Sequence, residues 1–285
     1  MSPASFSLNL HGRLFSLSEP VVMGIINLTP DSFYAASRSN GEAQLTERVL
    51  QIVREGGKLI DVGAYSSRSG ASDVSVDEEM RRLRQGLKII RAACPDIPVS
   101  VDTFRADVAK MCVEELGVEI VNDISAGELD KEMFPTIARL KVPYIMMHMK
   151  GNPRTMQDHP HYDDLMGEIF LYFSHKINRL REIGVSDIIL DPGFGFAKTL
   201  EHNYQLLSHL EDFHEFQLPL LVGISRKSMI FRLLGGTPES SLNGTTVLNV
   251  ISLLKGAHIL RVHDVKACVE AVTIVKKMKE EGRRL

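Results

Sequence analysis

Eight short runs of near-continuous apolar residues recur along this chain, at 21–27, 59–64, 99–103, 120–124, 144–148, 188–191, 220–225 and 259–264. Runs this short, with no polar alternation, are the pattern of strands buried on both faces. Between them, apolar positions return every three or four residues, which predicts helices at 42–55, 77–93, 105–116, 131–140, 162–183, 200–213 and 241–255. A last amphipathic helix is expected over 265–281. Ahead of the first run, residues 6–17 alternate apolar and polar around His11-Gly12, which predicts a β-hairpin. Eight strands alternating with helices predict an α/β chain folded as a closed parallel (β/α)8 TIM barrel. An open doubly wound sheet is the rival, but the Gly-x-Gly-x-x-Gly fingerprint is missing after the first strand. The expected organisation is one domain over 1–285, with the hairpin at about 5–18 and the barrel at about 21–281.

Composition adds exclusions to this picture. A formal net charge of -3 gives no electrostatic reason to expect nucleic acid. No apolar run is long enough for a membrane span, and Met1-Ser2-Pro3-Ala4-Ser5-Phe6 lacks the basic start and apolar core of a signal peptide. Cys94, Cys112 and Cys268 are scattered, without Cys-x-x-Cys spacing, as expected of reduced thiols in a cytoplasmic protein.

The polar residues collect at the carboxyl ends of the strands, where barrels carry their chemistry. These ends are Asn27, Asp61 with the Ser66-Ser67-Arg68 loop, Asp102, Asn122-Asp123, His148, Asp191, Ser225-Arg226-Lys227-Ser228 and Arg261-Val262-His263-Asp264. Any one of them, alone, is more often structural than functional; all eight together line a mouth. Arg261 and His263 are two residues apart, so they share a strand face while Val262 turns away. Together they are suited to an anion. The alternative is that Arg261 neutralises Asp61, Asp102 or Asp264. His148, His159, His161 and His175 show no metal-ligand spacing and are expected to be solvated. Met146-Met147 reads as core packing, with one of the two able to reach the pocket. No Gly-x-Ser-x-Gly elbow or Ser-His-Asp order supports a covalent hydrolase.

Asp191-Pro-Gly-Phe-Gly-Phe-Ala-Lys-Thr199 is the richest of these ends. Its glycines, Lys198 and Thr199 invite a phosphate-loop reading, yet the Gly-Lys-Ser/Thr order fails and Asp191 would repel phosphate. Asp191, Asp102 and Asn122 can instead read a flat heterocycle with adjacent N–H donors, with Phe196 covering its face. Lys198 is left without a role.

Over essentially its whole length from Val21 the chain resembles the dihydropteroate synthases. The resemblance is carried by Met23-Gly-Ile-Ile-Asn-Leu-Thr-Pro-Asp-Ser-Phe33, Ser100-Val-Asp-Thr103, Val121-Asn-Asp-Ile124, Met147-His-Met149 with Gly151-Asn-Pro153, Asp191-Pro-Gly-Phe-Gly-Phe196, Ser225-Arg-Lys-Ser228 and Arg261-Val-His-Asp264. It implies condensation of 6-hydroxymethyl-7,8-dihydropterin diphosphate with 4-aminobenzoate, giving 7,8-dihydropteroate and pyrophosphate. It also implies that Asp102, Asn122, Asp191 and Lys227 bind the pterin, with Met146, Phe196 and Gly223 nearby. Asn27 would ligate Mg2+. Ser67, Arg68, Arg261 and His263 would face the diphosphate and the loop ends, Val262 between the last two would count among the substrate-binding residues, and Ser67 and Ser228 would lie near the 4-aminobenzoate. Of these, Asn27, Arg68, Asp102, Lys227, Arg261 and His263 would carry the chemistry. A dissociative, SN1-like displacement fits this inventory, and a homodimer through the last helices fits the family. The alternatives are a pterin-dependent methyltransferase of the same superfamily and a non-catalytic pterin-binding paralogue.

Two places depart from the family pattern. The second loop reads Tyr65-Ser-Ser-Arg-Ser-Gly70 where Glu-Ser-Thr-Arg-Pro-Gly is common, so Ser69 stands where proline would stiffen the 4-aminobenzoate pocket and influence sulfonamide response. The first loop continues Phe33-Tyr-Ala-Ala-Ser-Arg38 rather than as a Ser-Asp-Gly-Gly type run.

Overall fold

The structure, a computed structural model, describes residues 6–28, 38–65, 74–151 and 160–282. Strands β1 (Ser7–Leu10) and β2 (Arg13–Ser16) form the expected hairpin, pairing antiparallel with Leu8 opposite Phe15. The turn between them puts both His11 and Gly12 at positive φ, as a two-residue hairpin turn requires.

The barrel follows: β3 (Val21–Asn27), β4 (Leu59–Gly63), β5 (Val99–Asp102), β6 (Ile120–Asp123), β7 (Tyr144–Met147), β8 (Ile188–Asp191), β9 (Leu221–Val222) and β10 (Ile259–Val262). All the pairings are parallel, running from β8 through β7, β6, β5, β4 and β3 to β10 and β9. A parallel bridge from Leu190 to Leu220 joins β8 to the start of β9 and closes the circle. This is the expected TIM barrel.

Helices α1 (Arg38–Arg54), α2 (Val76–Ala93), α3 (Ala106–Leu116), α4 (Met133–Leu140), α5 (Leu165–Glu182), α6 (Leu200–Ser208), α7 (Ser228–Leu234), α8 (Leu242–Leu254) and α9 (Val265–Gly282) surround the strands. The start of α2 shows why the chain turns helical there: Ser75 accepts from the Glu78 amide, and Asp77, Glu78 and Glu79 crowd the positive end. Two segments differ from the sequence expectation. The helix expected over 200–213 ends at Ser208, and Leu210–Phe216 continues as a 3-10 helix. Three residues per turn stack Leu210, Phe213 and Phe216 on one face, and Phe213 and Phe216 join Phe170 and Phe173 in an aromatic cluster. Helix α7 is the other difference; its seven residues are too short to show a helical period in the sequence.

Two cores result from strand alternation. Val22, Ile26, Ile60, Val62, Val99, Val101, Val121, Tyr144, Met146, Leu190 and Val262 face outward and pack with the helices. Met23, Leu59, Ile120, Ile145, Ile189, Leu221 and Ile259 face the lumen at its N-terminal end and bury Leu8, Leu10 and Leu17 of the hairpin segment. The hairpin is therefore a plug, and the lumen opens only toward the carboxyl ends.

Candidate active site

Two residues along the strands from the apolar floor lies a second lumen layer, apolar on β3 and β7, where Ile25 follows Met23 and Met147 follows Ile145, and polar on β4, β6, β8 and β10. Leu59 leads to Asp61, Ile120 to Asn122, Ile189 to Asp191, Leu221 to Gly223 and Ile259 to Arg261, because side chains alternate across a strand. Asp102 joins this layer from the end of β5, where Ser100 precedes it on the same face.

Arg261 organises the layer. Its Nε donates to Asp61 Oδ2 at 2.5 Å and its NH2 group to Asp102 Oδ2 at 2.8 Å. Asn122 Nδ2 donates to the same Asp61 oxygen at 3.1 Å. Of the two readings of Arg261 open at the level of sequence, neutralisation of carboxylates is the one seen here. Asp61 Oδ1 and its cross-strand neighbour Ser100 Oγ have no hydrogen-bond partner among the described residues. Burial raises Asp102 to about 7, with Arg261 opposing and Asp61 adding to the rise.

Asp191 is held from its own loop: the Gly193 amide donates to Oδ1 at 2.8 Å. Burial raises its pKa, and Lys227, the Gly193 amide, Arg261 and Lys198 oppose that rise. Lys227 donates to the Phe194 carbonyl and lies 4.7 Å above the centre of the Phe196 ring. Its burial lowers it to about 8, opposed by Asp191. Phe196 packs with Phe104, Ile124, Met147 and Met149 into an apolar wall beside the carboxylates. A side chain at Gly223 would enter the lumen, its Cβ 3.9 Å from both Asp191 Oδ2 and Arg261 Cβ. A flat polar ligand thus has acceptors on several sides and an aromatic face beside it.

Two residues placed by resemblance point elsewhere. Met146 packs in the outer core against the helices; Met147, one residue on, is paired in register with Asp191 and reaches the apolar wall. Val262 likewise packs outward, as strand alternation requires of a residue between Arg261 and His263. His148, expected to be solvated, is buried, and burial together with nearby lysines holds it well below the usual histidine range. His161 and His175 are exposed.

At the rim, Asn27, Arg48, Arg226, His263 and Asp264 line a cleft of about 350 Å³. Arg226 is spoken for by a two-pronged pair with Asp264, both contacts 2.8 Å. Arg48, which no strand-end pattern could have revealed because it comes from α1, donates to the His263 carbonyl at 2.6 Å. Ser225 Oγ accepts from the His263 amide at 3.1 Å and lies 3.1 Å from its Nδ1. With the hydroxyl proton on that second contact, Nδ1 is the acceptor and Nε2–H is left to donate. Burial and Arg261 lower His263 to about 4, so this donor is neutral at pH 7. Ser228 opens α7 and is half-buried. Ser67, Arg68 and Ser69, the 29–37 part of the first loop, and Asn152, Pro153 and His159 lie outside the described residues. Among the described residues no group of three His, Cys, Asp or Glu side chains could hold a metal ion by itself, and no helix is long and apolar enough to cross a membrane.

Comparison with known proteins places this arrangement. The model of the family described as pterin binding enzyme matches residues 23–263. A dihydropteroate synthase of Escherichia coli is 42% identical, the match covering 93% of this chain and 94% of that protein. One from Synechocystis is 41% identical over 87% of this chain and 86% of its own length. Among solved structures, the Yersinia pestis dihydropteroate synthase in complex with a sulfonamide drug superposes with a TM-score of 0.88 at 41% identity, covering 96% of this chain and 100% of that one. The Xanthomonas albilineans enzyme solved with 4-aminobenzoic acid gives a TM-score of 0.87 at 35% identity, covering 98% and 99%.

Proposed function

The chain belongs to the pterin-binding enzyme family, and from that premise we propose how it carries out the dihydropteroate synthase reaction, joining 6-hydroxymethyl-7,8-dihydropterin diphosphate to 4-aminobenzoate. The observation that carries this reading is the lumen layer of Asp61, Asp102, Asn122 and Asp191 beside the Phe196 wall. Carboxylates accept from the ring's N–H and amino groups, the asparagine both donates and accepts, and Lys227 donates to a ring acceptor. Arg261 bonds both Asp61 and Asp102 and fixes their directions. Met147, in place of Met146, supplies apolar contact.

The diphosphate lies outward from the ring, toward Asn27, Arg48 and His263, with Arg261 beneath it and Arg68 contributing from the second loop. Among the described residues lining the rim cleft there is one carboxamide, Asn27, and the one carboxylate, Asp264, is paired with Arg226. Such a donor set suits a Mg2+ that arrives already bound to diphosphate oxygens, with Asn27 as its protein ligand. When bound, that ion supplies charge stabilisation to the departing diphosphate. The residues of this chain do the rest: Arg261 and His263 Nε2–H hold the oxygens on which charge develops. The methylene C–O bond breaks with its electrons leaving on diphosphate, and the dihydropterin ring nitrogen stabilises the cation. The 4-aminobenzoate, for which Ser228 and, by resemblance, Ser67 are the expected neighbours, forms the new bond through its amino nitrogen, which loses a proton.

The whole chain acts as one pterin-binding domain in the cytoplasm and forms a homodimer through α7–α9, where Leu234, Val247, Ile274 and Met278 are exposed. Replacing Ile274 by aspartate is expected to give monomers in sedimentation.

The deciding experiment measures pyrophosphate release from the pterin diphosphate with Mg2+. Release that requires 4-aminobenzoate is expected; pterin binding without turnover would leave a binding protein. A trapped covalent enzyme–pterin adduct would sink the dissociative route.

A further inference from the structure

Lys198 has no place in that scheme, yet it is among the most enclosed cations in the molecule, 3% exposed. Its ammonium donates to the Gly193 carbonyl at 2.9 Å and the Phe196 carbonyl at 3.1 Å, and lies 3.0 Å from His148 Nδ1. Those three contacts use the three donors an ammonium has. Among the described residues no carboxylate is bonded to it, and its partners are the loop's own backbone and one imidazole.

The loop needs such a partner. Gly193, Gly195 and Ala197 all take positive φ, so the loop's carbonyls fall outside any regular hydrogen-bonding ladder. Gly193 passes so close to the end of β7 that a Cβ there would sit 2.0 Å from the His148 carbonyl oxygen. Lys198 gathers the carbonyls of Gly193 and Phe196 from within, while Lys227 takes that of Phe194 from the lumen side. The Tyr162 hydroxyl donates to the Ala197 carbonyl at 3.0 Å, and Asn203 Oδ1 accepts from the Gly195 amide at 2.6 Å. Together these bonds fix the segment from Gly193 to Ala197, next to Asp191 and including Phe196, the carboxylate and the ring that face the pterin.

We infer that Lys198 is a positioning residue for the pterin: its ammonium clamps the 191–199 loop to His148, setting the Asp191 carboxylate and the Phe196 ring at the spacing the heterocycle needs. The inference rests on the proposed pterin site. Burial lowers Lys198 to about 7, with Asp191 opposing that shift and Lys227 adding to it. Asp191, Lys227 and His148 are the ionisable groups that face it.

The chain has no tryptophan, so the fluorescence of 6-hydroxymethylpterin can report binding directly. Lys198→Met is expected to weaken its binding by about ten-fold or more, since buried hydrogen bonds from a charged donor are lost. The 4-aminobenzoate KM at saturating pterin diphosphate is expected to stay within about two-fold. Lys198→Gln, which keeps a shorter neutral donor, is expected to fall between Lys198→Met and the unaltered protein. Unchanged pterin binding in both variants, or equal losses for both substrates tracking a lower melting temperature, would overturn the assignment. Should neither variant fold, the unaltered protein with 15N-labelled lysine decides: the Lys198 ammonium signal shifts when 6-hydroxymethylpterin is added, and a static signal overturns the clamp. If the unaltered protein binds no pterin, the functional reading fails instead.

Discussion

At the N-terminal end of the barrel, Met23, Leu59, Ile120, Ile145, Ile189, Leu221 and Ile259 close against Leu8, Leu10 and Leu17. Two residues further along the same strands stand Asp61, Asn122, Asp191 and Arg261. One step of strand alternation separates a dry floor from a layer of carboxylates, and the two ends solve opposite problems. The floor removes apolar surface from water and needs only shape and volume. The polar layer places charges in a poorly solvated lumen, which is tolerable only while each is paired or bonded. The first supports the second, because closing the lumen at one end leaves a single entrance and excludes bulk water beneath the ligand.

The sharpest way to break this comparison is at Arg261. Arg261→Ala leaves Asp61 and Asp102 without their cation and is expected to cost about 3–5 kcal/mol of stability, measured by denaturant unfolding. It is also expected to weaken the pterin, through the freed carboxylates, and its diphosphate ester more, through the lost oxygen contact; a loss confined to the ester would make Arg261 an anion ligand and little more. Next in size is Leu8→Ala in the plug, expected to cost about 2–5 kcal/mol of stability while leaving both substrate KM values unchanged. A change in KM without a change in stability would mean that the floor and the polar layer are not separable. Asp191→Asn reverses that pattern: calorimetry should show pterin binding weakened by about 1–3 kcal/mol as ligand donors lose their acceptor.

Smaller effects separate the two faces of one strand and the two ends of the barrel. Met147→Ala is expected to raise the pterin KM several-fold, whereas Met146→Ala should lower stability and leave that KM alone. His258 lies at the closed end, where its Nδ1 accepts from the Leu220 amide, and His263 stands at the rim; burial lowers both to about 4. A histidine whose pKa is depressed by folding binds its proton more readily when unfolded. Stability should therefore fall as pH drops from the ordinary histidine value near 6.5 toward about 4. Unfolding curves measured across this range should lose part of their slope in His258→Gln, and a separate part in His263→Asn.

The strand runs and the residues ending them were legible in the chain because each strand is short, continuous and apolar, and the barrel repeats it. Parity along a strand was legible too, since it needs only counting: it turned Val262 away from Arg261 and His263, and it should have favoured Met147 over Met146. The family motifs named Asp102, Asn122, Asp191 and Lys227, and the lumen brings these together.

Other features depend on contacts between residues far apart in the chain, and counting along it cannot find them. Arg261 and Asp61 are 200 positions apart, and only barrel closure sets a guanidinium between two carboxylates. Arg48 reaches the rim because α1 packs on β3, with Ile52 over Gly24, a placement its helical spacing does not encode. The sequence by itself determined the barrel, its polar mouth and the aspartate at the head of the 191–199 loop. Tertiary structure decided which of the neighbouring charges are already satisfied. It also turned Lys198, which reads in the chain as a phosphate lysine, inward onto the backbone of its own loop, because pairing of a buried cation is settled by three-dimensional distance and solvent exclusion.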